Sequence, residues 1–379
     1  MESEAAELGA FARKLRQDFA LPLGGRRHHG GEHRGASRDW RSNWRGIRPS
    51  AGSLPHFSCA RTSPFPFPFR LPYTPAMPSF HTSGDPIADR RFAYAMDYKA
   101  RGDLAAAAEL VEQTLDCAPR WAAGWYALGD LREETGERGK AIEAYRQSLA
   151  LDAGDVAGAG ARLARLGERP ADGAMTTSHV AALFDEYAPR FERSLVGDLA
   201  YRGPALLKAA LSDLRQPLAF RRMLDLGCGT GLAGEAFQAF CGEMIGVDLS
   251  QAMLAKAGSK GLYRGLLCKD ALVFLESQPA ASAELVLAAD VFVYLGDLQA
   301  LFREVARVLE PNGLFAFTAQ RHDGPEPFIL NHDMRYAHSH ASIESWARAA
   351  GLTLLRRNDD WARQDRGSPV PGMVAIFKR

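Results

Sequence analysis

Two kinds of hydrophobic pattern divide the chain. Beyond residue 220, short apolar runs recur at 222–226 (RMLDL), 244–247 (MIGV), 262–267, 284–289 (ELVLAA) and 313–319 (GLFAFTA). Such near-continuous runs are the pattern of strands buried on both faces. Between them lie amphipathic stretches at 231–240, 250–257, 271–277 and 297–309, which read as helices. Strands alternating with helices imply parallel βαβ units and a doubly wound α/β sheet. The tail breaks the rule: GLTLLRRND at 351–359 and VPGMVAIFKR at 370–379 are two strand candidates with no helix between them. They predict an antiparallel hairpin at one edge of the sheet.

The region 87–166 has a helical period and repeats itself. Gly102 and Gly136 are 34 residues apart, as are Ala107 and Ala141, Leu115 and Leu149, and Ala95 and Gly129. Trp125 and Leu128 precede Gly129, and a third unit is visible only as the helical fragment 155–166. This resembles the tetratricopeptide repeat, a helix–turn–helix unit of that period. The resemblance implies a small all-α domain. Whether it offers a groove to a protein partner or caps its neighbour stays open, because so short an array is near the minimum for a solenoid. A Gly, Pro and Asp loop from Gly167 to Gly173 then marks a boundary.

Charge adds a third region. Residues 1–76 carry 12 Lys+Arg against 6 Asp+Glu, whereas the chain as a whole has a net charge of +1. The segment contains GGRRHHGGEHRG at 24–35 and alternating prolines at 64–70, and alternating prolines feed neither a helix nor a central strand. One short helix is predicted where Leu8, Phe11, Leu15 and Phe19 share a face. Glu2, Glu4 and Glu7 argue against a transit peptide, so 1–76 reads as a disordered leader or as translated sequence ahead of a start at Met77. The near-neutral total removes the electrostatic argument for nucleic-acid binding. No apolar stretch approaches a membrane span. Five cysteines (Cys59, Cys117, Cys228, Cys241, Cys268) form no CxxC pair, which argues against a disulfide framework or zinc site and for a reducing, cytoplasmic setting.

Candidate chemistry concentrates in the turn Met223 to Gly231, MLDLGCGTG, between the first strand and its helix. Glycines at 227, 229 and 231 give GxGxG spacing and let a ligand lie against bare backbone at a helix N-terminus. The dinucleotide fingerprint is GxGxxG, and Asp225 before the turn would repel a pyrophosphate but suits a cationic amino-acid moiety. Seventeen residues beyond Gly231, Asp248 ends the next strand, placed to accept ribose hydroxyls. Asp270 and Asp290 end the third and fourth strands. Ligands of open α/β sheets bind at those strand ends, and four converging carboxylates suit a ligand with sulfonium and ammonium groups.

On these residues, 175–379 resembles a class I S-adenosylmethionine-dependent methyltransferase: LDLGCGTG matches the first motif of that family, and the acidic end of strand two matches the second. The resemblance implies a Rossmann-like sheet ending in an antiparallel hairpin, with S-adenosyl-L-methionine as cofactor. It implies that Asp225, Gly227, Cys228, Gly229, Thr230 and Gly231 surround the methionine part, and that Asp248 holds the ribose with Leu249 beside the adenine. It further implies that Met253, in the DxSxxM pattern, packs under the adenine, that Asp270 and the backbone of Ala271 meet its edge, and that Asp290 lines the space between methyl group and acceptor. Upstream, LFDEYAPRFE at 183–192 resembles the FDxxAxxYD helix of methyltransferases of quinone and biotin biosynthesis. Phe191 stands where that helix has a tyrosine, which leaves Tyr187 as the candidate hydroxyl. Repeats followed by this domain resemble a bacterial group of predicted repeat-containing methyltransferases.

Methyl transfer demands alignment and exclusion of water, not a metal or a nucleophilic side chain. A base is needed only where the acceptor must lose a proton. The segment 331–346 concentrates His332, His338 and His340 with Tyr336 after the fifth strand. It reads as a loop in which His338 is the candidate base and Tyr336 a substrate contact, against the plainer reading of polar loop histidines. Phe292 and Tyr294, following Asp290, are candidate walls of the acceptor site or helix packing. Two other functions stay open: a nicotinamide oxidoreductase, disfavoured by Asp225 and the glycine spacing, and a repeat scaffold whose methyltransferase-like domain senses the cofactor without catalysis.

Overall fold

The computed structural model describes residues 82–193, 195, 199–214, 217–365 and 367–379. The leader, with its expected short helix and proline run, lies outside the described residues. The described chain begins with helical hairpins. α1 (Pro86–Ala100) pairs with α2 (Leu104–Cys117), and α3 (Ala122–Glu134) pairs with α4 (Arg138–Leu151), followed by the short α5 (Ala159–Arg165). Asp85 caps α1 and Asp103 caps α2 through side-chain oxygens. Small residues set the spacing of the hairpins. A Cβ on Gly129 would stand 2.6 Å from the Tyr145 ring, so only glycine lets α3 lie this close to α4. The fragment expected at 155–166 condenses to α5, and the buried Asp155 carboxylate caps it by accepting from Ala159 and Gly160 N–H.

The rest is a seven-stranded sheet with helices on both faces. Its strands are β1 (Phe220–Leu226), β2 (Cys241–Asp248), β3 (Gly265–Cys268), β4 (Ala283–Ala288), β5 (Leu309–Gln320), β8 (Thr353–Asp359) and β11 (Gly372–Lys378), in the order β3-β2-β1-β4-β5-β11-β8. β1 to β5 are parallel, and β11 runs antiparallel to both β5 and β8. This is the Rossmann-like methyltransferase fold with its antiparallel edge. The last strand is inserted inside, between β5 and β8. Composition explains that order: β11 is buried along nearly its whole length, while β8, carrying Arg356 and Arg357, is exposed and blunts the edge with charge. Two short pairs complete the strands: β6 (Phe328–Leu330) with β7 (Tyr336–His338), and β9 (Gln364–Asp365) with β10 (Ser368–Pro369).

One face of the sheet packs on α10 (Ala271–Glu276), α11 (Gln299–Val308) and α12 (His340–Ala349) around Phe274, Phe302, Phe315, Phe317 and Ile343. The other packs on α7 (Gly203–Leu214) and α8 (Leu232–Phe237) around Leu207, Leu211 and Phe237. The expectation of a loop over 331–346 is corrected here. Its second half is α12, capped by Ser339, with Ile343 and Ala347 on the buried face at helical spacing. Among the described residues no helix is long and apolar enough to cross a membrane.

α6 (Thr177–Tyr187) bridges the hairpins and the sheet. At its start Thr176 Oγ1 donates to the Gly154 carbonyl at 2.9 Å, and His179 Nδ1 lies 3.0 Å from the Val156 carbonyl oxygen. At its far end Asp185 Oδ1 accepts from Ser250 Oγ (2.6 Å) and Ala252 N–H (3.0 Å), at the start of α9 (Gln251–Ser259).

Candidate active site at the carboxyl edge of the sheet

The turn after β1 is built from backbone in the left-handed region. Gly227, Gly229 and Gly231 have φ of +61°, +54° and +87°. At Gly229 this conformation coincides with open space: a Cβ there would meet only the Phe191 ring, at 3.9 Å. Bare backbone therefore faces a cradle that a side chain would fill. Cys228 and Thr230, between the glycines, are buried, and burial pushes the Cys228 thiol far up, so it stays protonated.

Asp225 lies beneath this turn at 1% exposure. Its Oδ2 accepts from the Tyr263 hydroxyl at 2.6 Å, and that hydroxyl accepts from Gly234 N–H at 3.1 Å. Oδ1 is buried without a partner among the described residues. Burial pushes the Asp225 carboxyl up to about 7, with the Asp248 charge adding to the rise and the Tyr263 hydrogen bond opposing it. A buried carboxylate with a spare oxygen calls for a cation. Asp248 meets the same turn from β2: its Oδ2 accepts from Gly229 N–H and its Oδ1 from Ser250 N–H, both at 2.9 Å. Burial raises its pKa, and these backbone donors counter the rise. A carboxylate has roughly four acceptor positions, so lone pairs remain for hydroxyl donors.

Further along the edge, Asp270 caps α10 by accepting from Leu272 N–H (2.8 Å) and Val273 N–H (3.2 Å), leaving the Ala271 N–H outside the cap. Met253 is on the buried face of α9, and Leu249 packs with Met175, Val180 and Tyr336. Asp290 has φ +62°, which is uncommon for a residue other than glycine, and its N–H donates to Thr318 Oγ1 at 2.8 Å. Such strain persists only where the surroundings over-determine it, and it clusters at functional positions. The segment LFDEYAPRFE lies over this edge. The Phe191 ring stands T-shaped to Tyr187 at 5.6 Å and to Phe184 at 6.0 Å, and Glu192 pairs with Lys260 at 2.7 Å.

Three expected acceptor-side residues are placed elsewhere. His338 is fully buried, and its Nε2 lies 3.1 Å from the Leu295 and 3.0 Å from the Gly296 carbonyl oxygen. Burial pushes it down to about 4, so it is neutral and donates one N–H between two carbonyls; it holds a loop and is not an accessible base. Phe292 is core, packed with Phe302, Phe315 and Phe317, because the short turn after β4 points it inward. Tyr336 is buried with its hydroxyl donating to the Ala171 carbonyl, which ties β7 to the chain entering α6. Tyr294 remains at the edge, T-shaped to Phe184 at 5.2 Å and under the Arg335 guanidinium at 5.8 Å.

The structure also adds groups that the sequence reading did not name. Tyr263 sits inside a strand-like run, where nothing marks its hydroxyl as bound for Asp225. Tyr201 precedes α7, and the charges of Asp290 and Asp225 both reach its hydroxyl, which burial keeps protonated.

The sheet order is that of a Rossmann-like methyltransferase fold, and the glycine turn and the strand-end acids lie together at its carboxyl edge. Residues 224–317 match the family described as "Methyltransferase domain". Among curated proteins, the chain is similar to the malonyl-[acyl-carrier protein] O-methyltransferase of Legionella pneumophila, 37% identical over 158 residues that cover 40% of this chain and 52% of that enzyme. It is also similar to the ubiquinone biosynthesis O-methyltransferase of Pseudomonas fluorescens, 25% identical over 159 residues that cover 38% of this chain and 68% of that one. It matches the biotin biosynthesis bifunctional protein BioHC of Saccharophagus degradans at 32% identity over 130 residues, 34% of this chain and 22% of that protein. The chain thus spans about half the length of the Legionella relative and less of the bifunctional one. Among solved structures, the [4+2]-cyclase SpnF aligns with a TM-score of 0.46 and 17% identity, over 54% of this chain and 97% of that chain.

Proposed function

We propose that the chain transfers a methyl group from S-adenosylmethionine to a small-molecule acceptor at the carboxyl edge of the sheet. The observation that carries this reading is Asp225: a fully buried carboxylate with one unpartnered oxygen, beneath the bare backbone of Gly229. When bound, S-adenosylmethionine supplies a methyl group on positively charged sulfur, already activated for displacement. Asp225 then takes the cationic amino group, which restores its ionised form. Asp248 accepts the ribose hydroxyls on its remaining lone pairs, and Asp270 and Ala271 N–H meet the adenine edge, with Leu249 and Met253 against its faces. Phe191 and Tyr187 cover the turn and exclude water, which strengthens every charge inside. Asp290, with Tyr201 and Tyr294, borders the acceptor. With His338 committed to carbonyls and these tyrosines kept protonated by burial, an acceptor that arrives already anionic suits the site best.

The helical hairpins enter the proposal as tetratricopeptide-like repeats, a partner-binding face on a cytoplasmic enzyme. A cavity of about 340 Å³ supports this: Phe92, Trp121, Tyr126 and Asp130 line it from the hairpins, and His179 and Leu183 line it from α6. A ligand there would touch the same helix that reaches α9 through Asp185.

The test is incubation of the full chain with methyl-labelled S-adenosylmethionine and a panel of carboxylic acids, phenols and acyl thioesters. Label should move to one class, and Asp248→Ala should abolish most of it. Tight S-adenosylhomocysteine binding with no transfer to any class would favour the cofactor-sensing scaffold instead.

A further inference from the structure

Two arginines meet Asp333 from separate segments, Arg363 by its side chain and Arg335 by its backbone N–H. Arg363, in the segment after β8, is 5% exposed. Its Nη2 reaches Asp333 Oδ2 at 3.3 Å, while its Nε is buried with no partner among the described residues. Arg335, in the β6–β7 loop, lies over the Tyr294 ring at 5.8 Å, and its Nη1 is likewise buried without a partner. Their charges act on each other, and Asp290 and Asp333 act on both. Asp290 and Asp333 offset the two charges, so what remains unmet is the pair of buried donors, Arg363 Nε and Arg335 Nη1, and an unmet buried donor is costly unless an acceptor joins it.

Resting on the methyltransferase reading, we propose that Arg335 and Arg363 hold a carboxylate of the methyl acceptor beside Asp290, so that the acceptor class is a carboxylic acid. Guanidinium forks match the planar carboxylate and hold it by paired N–H donors. Phosphate is the competing anion for such forks, and the test decides between the two. Met334, between Asp333 and Arg335, has φ +60°, and Asp333 Oδ1 accepts from Arg335 N–H at 3.2 Å. The loop is thereby folded back on itself, which fixes Arg335 before any ligand arrives. Arg335 and Arg363 are specificity residues in this account, and they leave the cofactor side untouched.

The test uses the full chain and three probes at matched ionic strength: malonate, dimethyl malonate and inorganic phosphate. Each is titrated calorimetrically with and without saturating S-adenosylhomocysteine. Malonate should bind saturably, and the neutral diester and phosphate at least tenfold more weakly. Arg335→Lys and Arg363→Lys should each weaken malonate at least tenfold while S-adenosylhomocysteine affinity stays within twofold. The comparison of malonate with its diester on the unmodified protein needs no variant, so a misfolded Arg363→Lys does not remove the test. Equal binding of acid and diester, tighter binding of phosphate, no malonate binding, or folded variants that bind malonate as well as the parent would overturn the proposal. S-adenosylhomocysteine is read separately: its failure to bind while malonate binds sinks the methyltransferase reading, and the reverse sinks the carboxylate site alone.

Discussion

On the β1–β2 side of the sheet the site is made of backbone: three glycines with positive φ, and an aspartate whose oxygens accept N–H groups of Gly229 and Ser250. On the β4–β5 side the proposed acceptor site draws on long side chains delivered from separate segments: Tyr201 ahead of α7, Tyr294 after β4, Arg335 in the β6–β7 loop and Arg363 beyond β8. The first construction is local and rigid, and it suits a ligand whose shape does not change. The second depends on how distant loops pack, and it can vary the acceptor without disturbing the cofactor.

This contrast is open to attack at its strongest point first. Gly229→Val places a branched side chain where φ is +54° and in the cradle itself. It should lower S-adenosylhomocysteine affinity by about a hundredfold or more, from backbone strain and steric exclusion together. A folded variant that binds normally would show that the turn is not the ligand's floor.

Asp248→Ala removes a carboxylate that orders the turn and remains free to accept hydroxyls. Calorimetry should show a loss of about 1.5–3 kcal/mol in binding, or roughly ten- to a hundredfold. Arg335 and Arg363 variants should leave this affinity alone, and a comparable loss from them would erase the division between the two sides.

Asp225 sharpens the comparison through pH. Its carboxyl is pushed from 3.8 up to about 7 without ligand, so the folded protein binds more protons than the unfolded chain between those values. The contribution to stability is therefore full below about pH 4 and lost as pH rises through 7. Ligand affinity runs the other way, since the ammonium group needs the ionised carboxylate: it should climb about tenfold from pH 6 to pH 8. Asp225→Asn should flatten both profiles, and an unchanged affinity profile in that variant would assign the titration to another group.

The smallest expected effect on binding comes from outside the edge. Gly129→Ala drives a methyl group into the Tyr145 ring, where a Cβ would lie at 2.6 Å. Overpacking of this kind costs about 1–3 kcal/mol, so the melting temperature should fall by several degrees while S-adenosylhomocysteine affinity stays within twofold. A large loss of affinity would instead couple the hairpins to the cofactor side.

The same contrast explains what could be read from sequence. The sheet, its antiparallel tail and the positions of Asp225, Gly229 and Asp248 follow from short-range patterns, since a turn between a strand and a helix is specified by its own residues. Tyr263 lies 38 residues from the aspartate it meets, and no spacing rule joins them. Phe292, Tyr336 and His338 were legible as aromatic and titratable residues after strands, but not as buried ones. Whether a residue after a strand faces the ligand or the core depends on the turn: here α11 and β5 enclose Phe292, the chain entering α6 holds Tyr336, and Trp346 of α12 stands against His338. Arg335 and Arg363 look like ordinary surface arginines until the fold buries them.

The central claim, that this edge binds S-adenosylmethionine and not a nicotinamide dinucleotide, is tested most directly by titrating the full chain with S-adenosylhomocysteine and, separately, with NAD. The account expects one molecule of S-adenosylhomocysteine bound per chain and no saturable heat with NAD. Saturable NAD binding, or no S-adenosylhomocysteine binding by the folded chain at pH 8, would contradict it.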